Sequence, residues 1–135
     1  MTKLIPVAPP ARLKRGKPLC VEHRGVPYCV VRTKKDKIKA FVTICTHKDL
    51  AMFPPDVKRL RLVCPYHEVA FDAATGKVAK SRGKKVDRLP QVEVEIVDDV
   101  IHLAARKKHR KLIPKSERKW VAKEGAKRRK KAGAG

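Results

Sequence analysis

Cys45-Thr46-His47 is followed by 16 residues and then by Cys64-Pro65-Tyr66-His67. Each short segment carries one thiol and one imidazole, and each comes directly after an apolar run, Phe41 to Ile44 and Leu60 to Val63. Loops that project from rigid strands are where binding residues tend to sit. Zinc sites made of two Cys and two His usually group the cysteines together and the histidines together. Here each loop supplies one of each, which suits a binuclear centre in which one iron takes both thiolates and the other both imidazoles. The alternative is a single zinc held by Cys45, His47, Cys64 and His67 in a non-redox module whose basic tail binds RNA or DNA. Cys20 and Cys29 lack a matching His and sit inside apolar runs, so they read as small buried hydrophobes. His23, His102 and His109 are assigned no role.

The elements that must position these residues are short strands. Leu19 to Glu22, Val26 to Arg32 and Ile38 to Ile44 are apolar, β-branched runs separated by Glu22-His-Arg-Gly25 and Thr33-Lys-Lys-Asp36, which suit hairpin turns. Val92, Val94 and Ile96 alternate with Glu93, Glu95 and Val97, the mark of a half-buried strand. Asp98-Asp99 then turns the chain into a last strand, Val100 to Leu103. Regularly spaced short strands, with no long segment of period 3.6, predict an all-β sandwich or barrel.

The spacing Cys-x-His, 16 residues, Cys-x-x-His resembles the Rieske family. So does Phe71-Asp72-Ala-Ala-Thr75-Gly76, which is similar to that family's hairpin after the second loop, and which a zinc site does not require. The resemblance covers roughly residues 17–103. It implies one Rieske-type 2Fe-2S cluster held by two hairpin-like loops (about 45–52 and 64–72) in a small subdomain at the tip of an antiparallel β-sandwich. Cys45 and Cys64 would bind one iron, His47 and His67 the other, with the histidines on the exposed side. Two positions depart from the family: Asp49 and Glu68 stand where glycine is usual. They read as solvated loop residues. High-potential members carry an extra loop cysteine on each side that form a disulfide. Lys48, Asp49, Leu50 and Tyr66 leave none here, so the resemblance implies a low-potential, ferredoxin-like centre.

At 135 residues and 15.2 kDa the chain has room for one domain. A Rieske oxygenase's separate mononuclear-iron domain does not fit in that length, and there is no phosphate-binding glycine loop or dinucleotide fingerprint. An electron carrier without catalysis of its own is the expectation, serving a reductase or oxygenase. No apolar run of membrane-spanning length occurs, and four cysteines without a secretory leader suit the cytoplasm. The net charge is +22. Residues 104–135 hold 14 Lys/Arg and 2 Glu, a net of +12. Such a segment is predicted to be disordered or partly helical, with Leu112, Ile113, Trp120 and Val121 its candidates for docking. Residues 1–16 read as a second basic arm. The 104–135 tail would steer an acidic redox partner, hold nucleic acid without sequence preference, or simply follow the composition of a basic proteome.

Overall fold

A computed structural model describes residues 2–33, 35–45, 50–52, 56–58, 61–64, 69–81, 83 and 86–133. Its strands are β1 (Thr2–Ala8), β2 (Leu19–His23), β3 (Val26–Arg32), β4 (Ile38–Val42), β5 (Ile44–Cys45), β6 (Leu50–Ala51), β7 (Asp56–Lys58), β8 (Arg61–Val63), β9 (Ala70–Asp72), β10 (Val78–Lys80), β11 (Gln91–Val92), β12 (Val94–Val97) and β13 (Val100–Arg106). Helices α1 (Lys107–Lys111) and α2 (Lys115–Gly133) follow. All the strand pairings are antiparallel. They form a three-stranded sheet β1-β13-β12, a four-stranded sheet β11-β4-β3-β2, a second four-stranded sheet β10-β9-β8-β7, and the hairpin β5-β6. The strands thus form an all-β, antiparallel sandwich, as the sequence predicts.

The central sheet β11-β4-β3-β2 is buried on both faces, which explains why β3 reads as a nearly continuous apolar run. Side chains alternate across a strand. Val26, Tyr28 and Val30 of β3, with Ala40 and Val42 of β4, join Ile101, Leu103 and Ala105 of β13 in one core. Cys29, Val31 and Phe41 point the other way, into a second core with Cys45, Met52, Leu62, Cys64, Val69 and Phe71. Three layers result, and the cysteine loops belong to the third.

Tight turns set the registers. Arg24 and Gly25 both have positive φ (52° and 79°), as do Asp98 and Asp99 (51° and 60°). These are the conformations a two-residue hairpin requires, and Asp and Gly adopt them readily. The half-buried strand expected at Val92–Val97 is split into β11 and β12. Ile96 remains 52% exposed; among the described residues β12 is an edge strand that pairs with β13 alone.

Two boundaries differ from the sequence reading. The expected basic arm over residues 1–16 contains β1, which pairs with β13 from Thr2↔Arg106 to Ala8↔Ile101. Ile5 and Val7 pack on the first core. Pro6 suggested a break, yet proline is tolerated on a sheet edge, and the register shifts between Pro6 and Ala8. The expected tail, residues 104–135, supplies the end of β13 and two helices. Ile113 is fully buried in the first core, and Val121 packs with Ala51, Cys20 and Trp120. Leu112 stays exposed. Burial of these few apolar side chains offsets the charge repulsion that favoured disorder.

Candidate metal centre

Cys45 ends β5, and Cys45 pairs with Leu50 while Ile44 pairs with Ala51. A four-residue loop, 46–49, is therefore closed at its root by a β-ladder. The second loop has the same construction. Cys64 follows β8, and its N–H donates to the Val69 carbonyl at 2.8 Å, closing residues 65–68. Both cysteines are completely buried and share one apolar cluster with Phe41, Met52, Leu62, Val69 and Phe71. Two separate strands thus deliver two thiols into one dry region. His47 and His67, and the variant positions Asp49 and Glu68, lie outside the described residues.

The segment after the second loop explains its own motif. Phe71 is fully buried in the cysteine cluster. The Asp72 carboxylate accepts from Ala74 N–H at 2.7 Å and from Thr75 N–H at 3.2 Å, the side-chain-to-backbone bonding that favours Asp in turns. The Thr75 hydroxyl accepts from Lys77 N–H. Gly76 has φ +77°, and a Cβ there would come within 2.7 Å of the Phe41 ring. Glycine alone meets both demands. The hairpin therefore clamps β9 against Phe41 and Cys64.

The other two cysteines form a pair of their own. Cys20 and Cys29 are direct cross-strand partners, with sulfurs 4.0 Å apart as thiols. The Cys20 contact first, and burial second, push the Cys29 thiol well above its ordinary value. It stays protonated at neutral pH, unlike a metal-binding thiolate.

Sequence reasoning missed what the C-terminal helices contribute. The Glu117 carboxylate of α2 accepts from the Ala51 N–H at 3.1 Å through Oε1 and from the Trp120 indole N–H at 2.9 Å through Oε2. Ala51 belongs to the hairpin that closes the first cysteine loop, so α2 braces that hairpin directly. Helix α2 also packs on β2 and β3. A Cβ on Gly25 would come within 2.9 Å of the Arg118 carbonyl oxygen, so the β2–β3 turn and the helix backbone approach closely. His109, assigned no role from sequence, is buried. Its Nδ1 accepts from Arg106 N–H at 3.2 Å and lies 3.1 Å from the Tyr28 hydroxyl. The backbone donor places the ring proton on Nε2, and the hydroxyl then donates as well. Burial, with Lys108 and Arg106 nearby, lowers the His109 pKa; burial raises that of Tyr28 to about 12. Both groups are held neutral. The only signal for these roles was the scatter of apolar residues in an otherwise charged tail. Among the described residues, no helix is long and apolar enough to cross a membrane.

A family model for the Rieske [2Fe-2S] domain matches residues 3–100. No curated protein matches the sequence. Among solved structures, the ferredoxin of carbazole 1,9a-dioxygenase from Nocardioides aromaticivorans IC177 is similar with a TM-score of 0.62 at 25% identity, over 77% of this chain and 99% of that one. A chain in the complex of reduced oxygenase and oxidized ferredoxin of carbazole 1,9a-dioxygenase gives 0.62 at 25% identity, over 75% and 92%. The quaternary ammonium Rieske monooxygenase CntA, bound to L-carnitine, shares the fold with a TM-score of 0.65 at 19% identity. The match covers 78% of this chain but 32% of the monooxygenase.

Proposed function

The chain belongs to the Rieske [2Fe-2S] domain family, and from that premise we propose that it is the ferredoxin-type carrier that passes single electrons to an oxygenase, its cluster held by Cys45, His47, Cys64 and His67. The Rieske-type 2Fe-2S cluster and one-electron transfer follow from the family. The ligand assignment and the oxygenase are this proposal. The observation that carries it is the pair of buried cysteines, each at the root of a short closed loop, in one apolar cluster. That donor set fits the group: two thiols inside and one imidazole in the sequence of each loop. Bound there, a Rieske-type cluster supplies a one-electron couple at about −150 to +300 mV.

The chain's own residues then have distinct tasks. Cys45 and Cys64 anchor, and their apolar neighbours exclude water from the thiolate side. The β5–β6 pairing and the Cys64–Val69 hydrogen bond fix the loop roots. His47 and His67, two and three residues beyond, would face the partner. The +22 charge suits an oxygenase or reductase with an acidic docking face, steered at low ionic strength. Cys20 and Cys29 meeting as thiols suits a reducing compartment, and we place the carrier in the cytoplasm.

Anaerobically purified protein is expected to contain about two irons and two acid-labile sulfides per chain. Cys45→Ser and Cys64→Ser are each expected to lose the visible spectrum. Stoichiometric zinc without sulfide would overturn the reading.

A further inference from the structure

Away from the cysteine loops the chain concentrates positive charge in a concave surface. A cavity of about 760 Å³ has buried Val26, Tyr28 and Ala105 as its floor and is lined by Arg24, Arg106, Lys107, Arg110, Lys111 and Arg118. An adjoining cavity of about 500 Å³ shares Arg24, Arg110 and Arg118 and adds Lys119 of α2. Among the described residues no carboxylate lines either one. Glu93 reaches Arg106 at 3.2 Å, which leaves the other cations in excess.

The cleft is not placed to serve the cysteines. Tyr28 faces the first core, while its neighbour Cys29 faces the second, with Cys45 and Cys64. An acidic redox partner seated over Tyr28 would have the central sheet between itself and the thiols, and electron transfer falls off steeply with distance. The cleft therefore calls for an anion other than the electron acceptor. Guanidinium groups suit phosphate oxygens, which they can grip through two parallel hydrogen bonds. Two continuous cavities, extended by α2, suit a chain of phosphates better than one. Among the described residues the cleft offers no stacking surface: Tyr28 is buried, and the Trp120 indole is bonded to Glu117 and packed beside Val121 and Ala51. Contacts would go to the backbone and not to the bases.

We propose that this cleft, formed where β13, α1 and the start of α2 meet the β2–β3 turn, is a phosphate-backbone site for double-stranded nucleic acid, read without regard to sequence. The test uses the full-length, cluster-loaded protein and two fluorescent 20-base-pair duplexes of unrelated sequence, followed by anisotropy across a salt series. Both duplexes are expected to bind alike. K107Q/R110Q/K111Q changes exposed helix positions to another good helix former, so the visible spectrum should persist. In that variant the slope of log K against log salt is expected to become shallower by about 2.7, at about 0.9 per cation, with at least a tenfold loss near 0.1 M salt. K14Q/K37Q/K80Q, which removes three exposed lysines that do not line either cavity, is the control. Equal losses in both variants would overturn the cleft in favour of overall charge. Unchanged binding by the cleft variant would do the same. Tighter binding of inorganic tripolyphosphate than of either duplex, or of poly-L-glutamate, would replace the proposed occupant by a small polyphosphate or an acidic protein. Electron-transfer rates, measured separately, report on the carrier function and are not part of this outcome.

Discussion

Replacing Glu117 with alanine measures how firmly α2 holds the first cysteine hairpin. The carboxylate accepts two hydrogen bonds, from Ala51 N–H at 3.1 Å and from Trp120 Nε1–H at 2.9 Å. The two donors fare differently once it is gone. Trp120 is half-buried and can turn its indole N–H toward water, whereas Ala51 is completely buried. An orphaned buried donor costs about 1–3 kcal/mol, and a bond to a charged acceptor lies at the upper end of that range. A loss of about 2–3 kcal/mol is expected for Glu117→Ala. At roughly 4 °C per kcal/mol for a domain of this size, the melting temperature falls by ~8–12 °C. Glu117→Gln is the informative companion. Both partners are donors and an amide has one acceptor oxygen, so glutamine keeps one bond and loses the other. Its loss should be near half. Thermal unfolding followed by circular dichroism and by visible absorbance gives both numbers, and hydrogen exchange at Ala51 locates the effect. If Glu117→Ala melts within ~2 °C of the parent and Ala51 exchanges as slowly as before, the helix does not brace the hairpin.

Ile113→Ala is expected to lose about 3 kcal/mol in urea unfolding, the cost of a cavity at a fully buried aliphatic site; a loss below ~0.5 kcal/mol would mean that α1 and α2 do not dock. Cys29→Ser is expected to leave the visible spectrum intact, because that thiol stays protonated beside Cys20; a bleached variant would move the ligand assignment. Stability is expected to fall with pH below about 6.5, since burial lowers the folded-state His109 pKa and the unfolded chain takes up that proton first. The contribution is complete above the unfolded value and erodes as pH drops, so His109→Gln should flatten the urea midpoint between pH 7 and 5. An identical slope in parent and variant would refute that assignment.

Strands β2, β3, β4, β8 and β13 and the cysteine loop roots were legible in the sequence because each rests on a local signal, whereas the short β7 and β10 carry none. β3 and β4 announce themselves as apolar runs between turn residues, and Phe71-Asp72 to Thr75-Gly76 encodes a turn whose every member has a backbone task. β1 was not legible. Its Pro6 mimics a breaker, and only the pairing with β13 shows that it occupies an edge where a missing N–H costs nothing. The C-terminal helices were legible only as a partly helical tail, and their docking on the sandwich was not legible, for a different reason. Their composition is that of a disordered polycation, and the order comes from three long-range anchors, Ile113, Val121 and Glu117, separated by charged residues. They stand four residues apart, a helical spacing, but two apolar residues and one acid are too few to make a stripe that stands out from the charge around them. Glu117 in particular is indistinguishable in sequence from a solvated surface acid until Ala51 is seen beneath it.

These anchors also decide how the basic segment can be probed. Had residues 104–135 been a detachable tail, deleting them would separate charge from fold. In this structure the deletion removes Ala104, Ala105 and Arg106, which pair with Leu4, Lys3 and Thr2, and with them the burial of Ile113 and the brace on Ala51. A truncated protein that loses its cluster would then report on packing and say nothing of electrostatics. Neutralising exposed cations one face at a time keeps the anchors in place. Lys107, Arg110 and Lys111 alternate with buried His109 on α1, so charge and core are carried by different faces of the same short helix. Steering of a redox partner and retention on nucleic acid become separable on that basis. Loss of charge in the cleft should weaken duplex binding and leave the electron-transfer rate at physiological salt, where the Debye length is about 8 Å, nearly unchanged. Equal loss of both would show that one surface serves both partners.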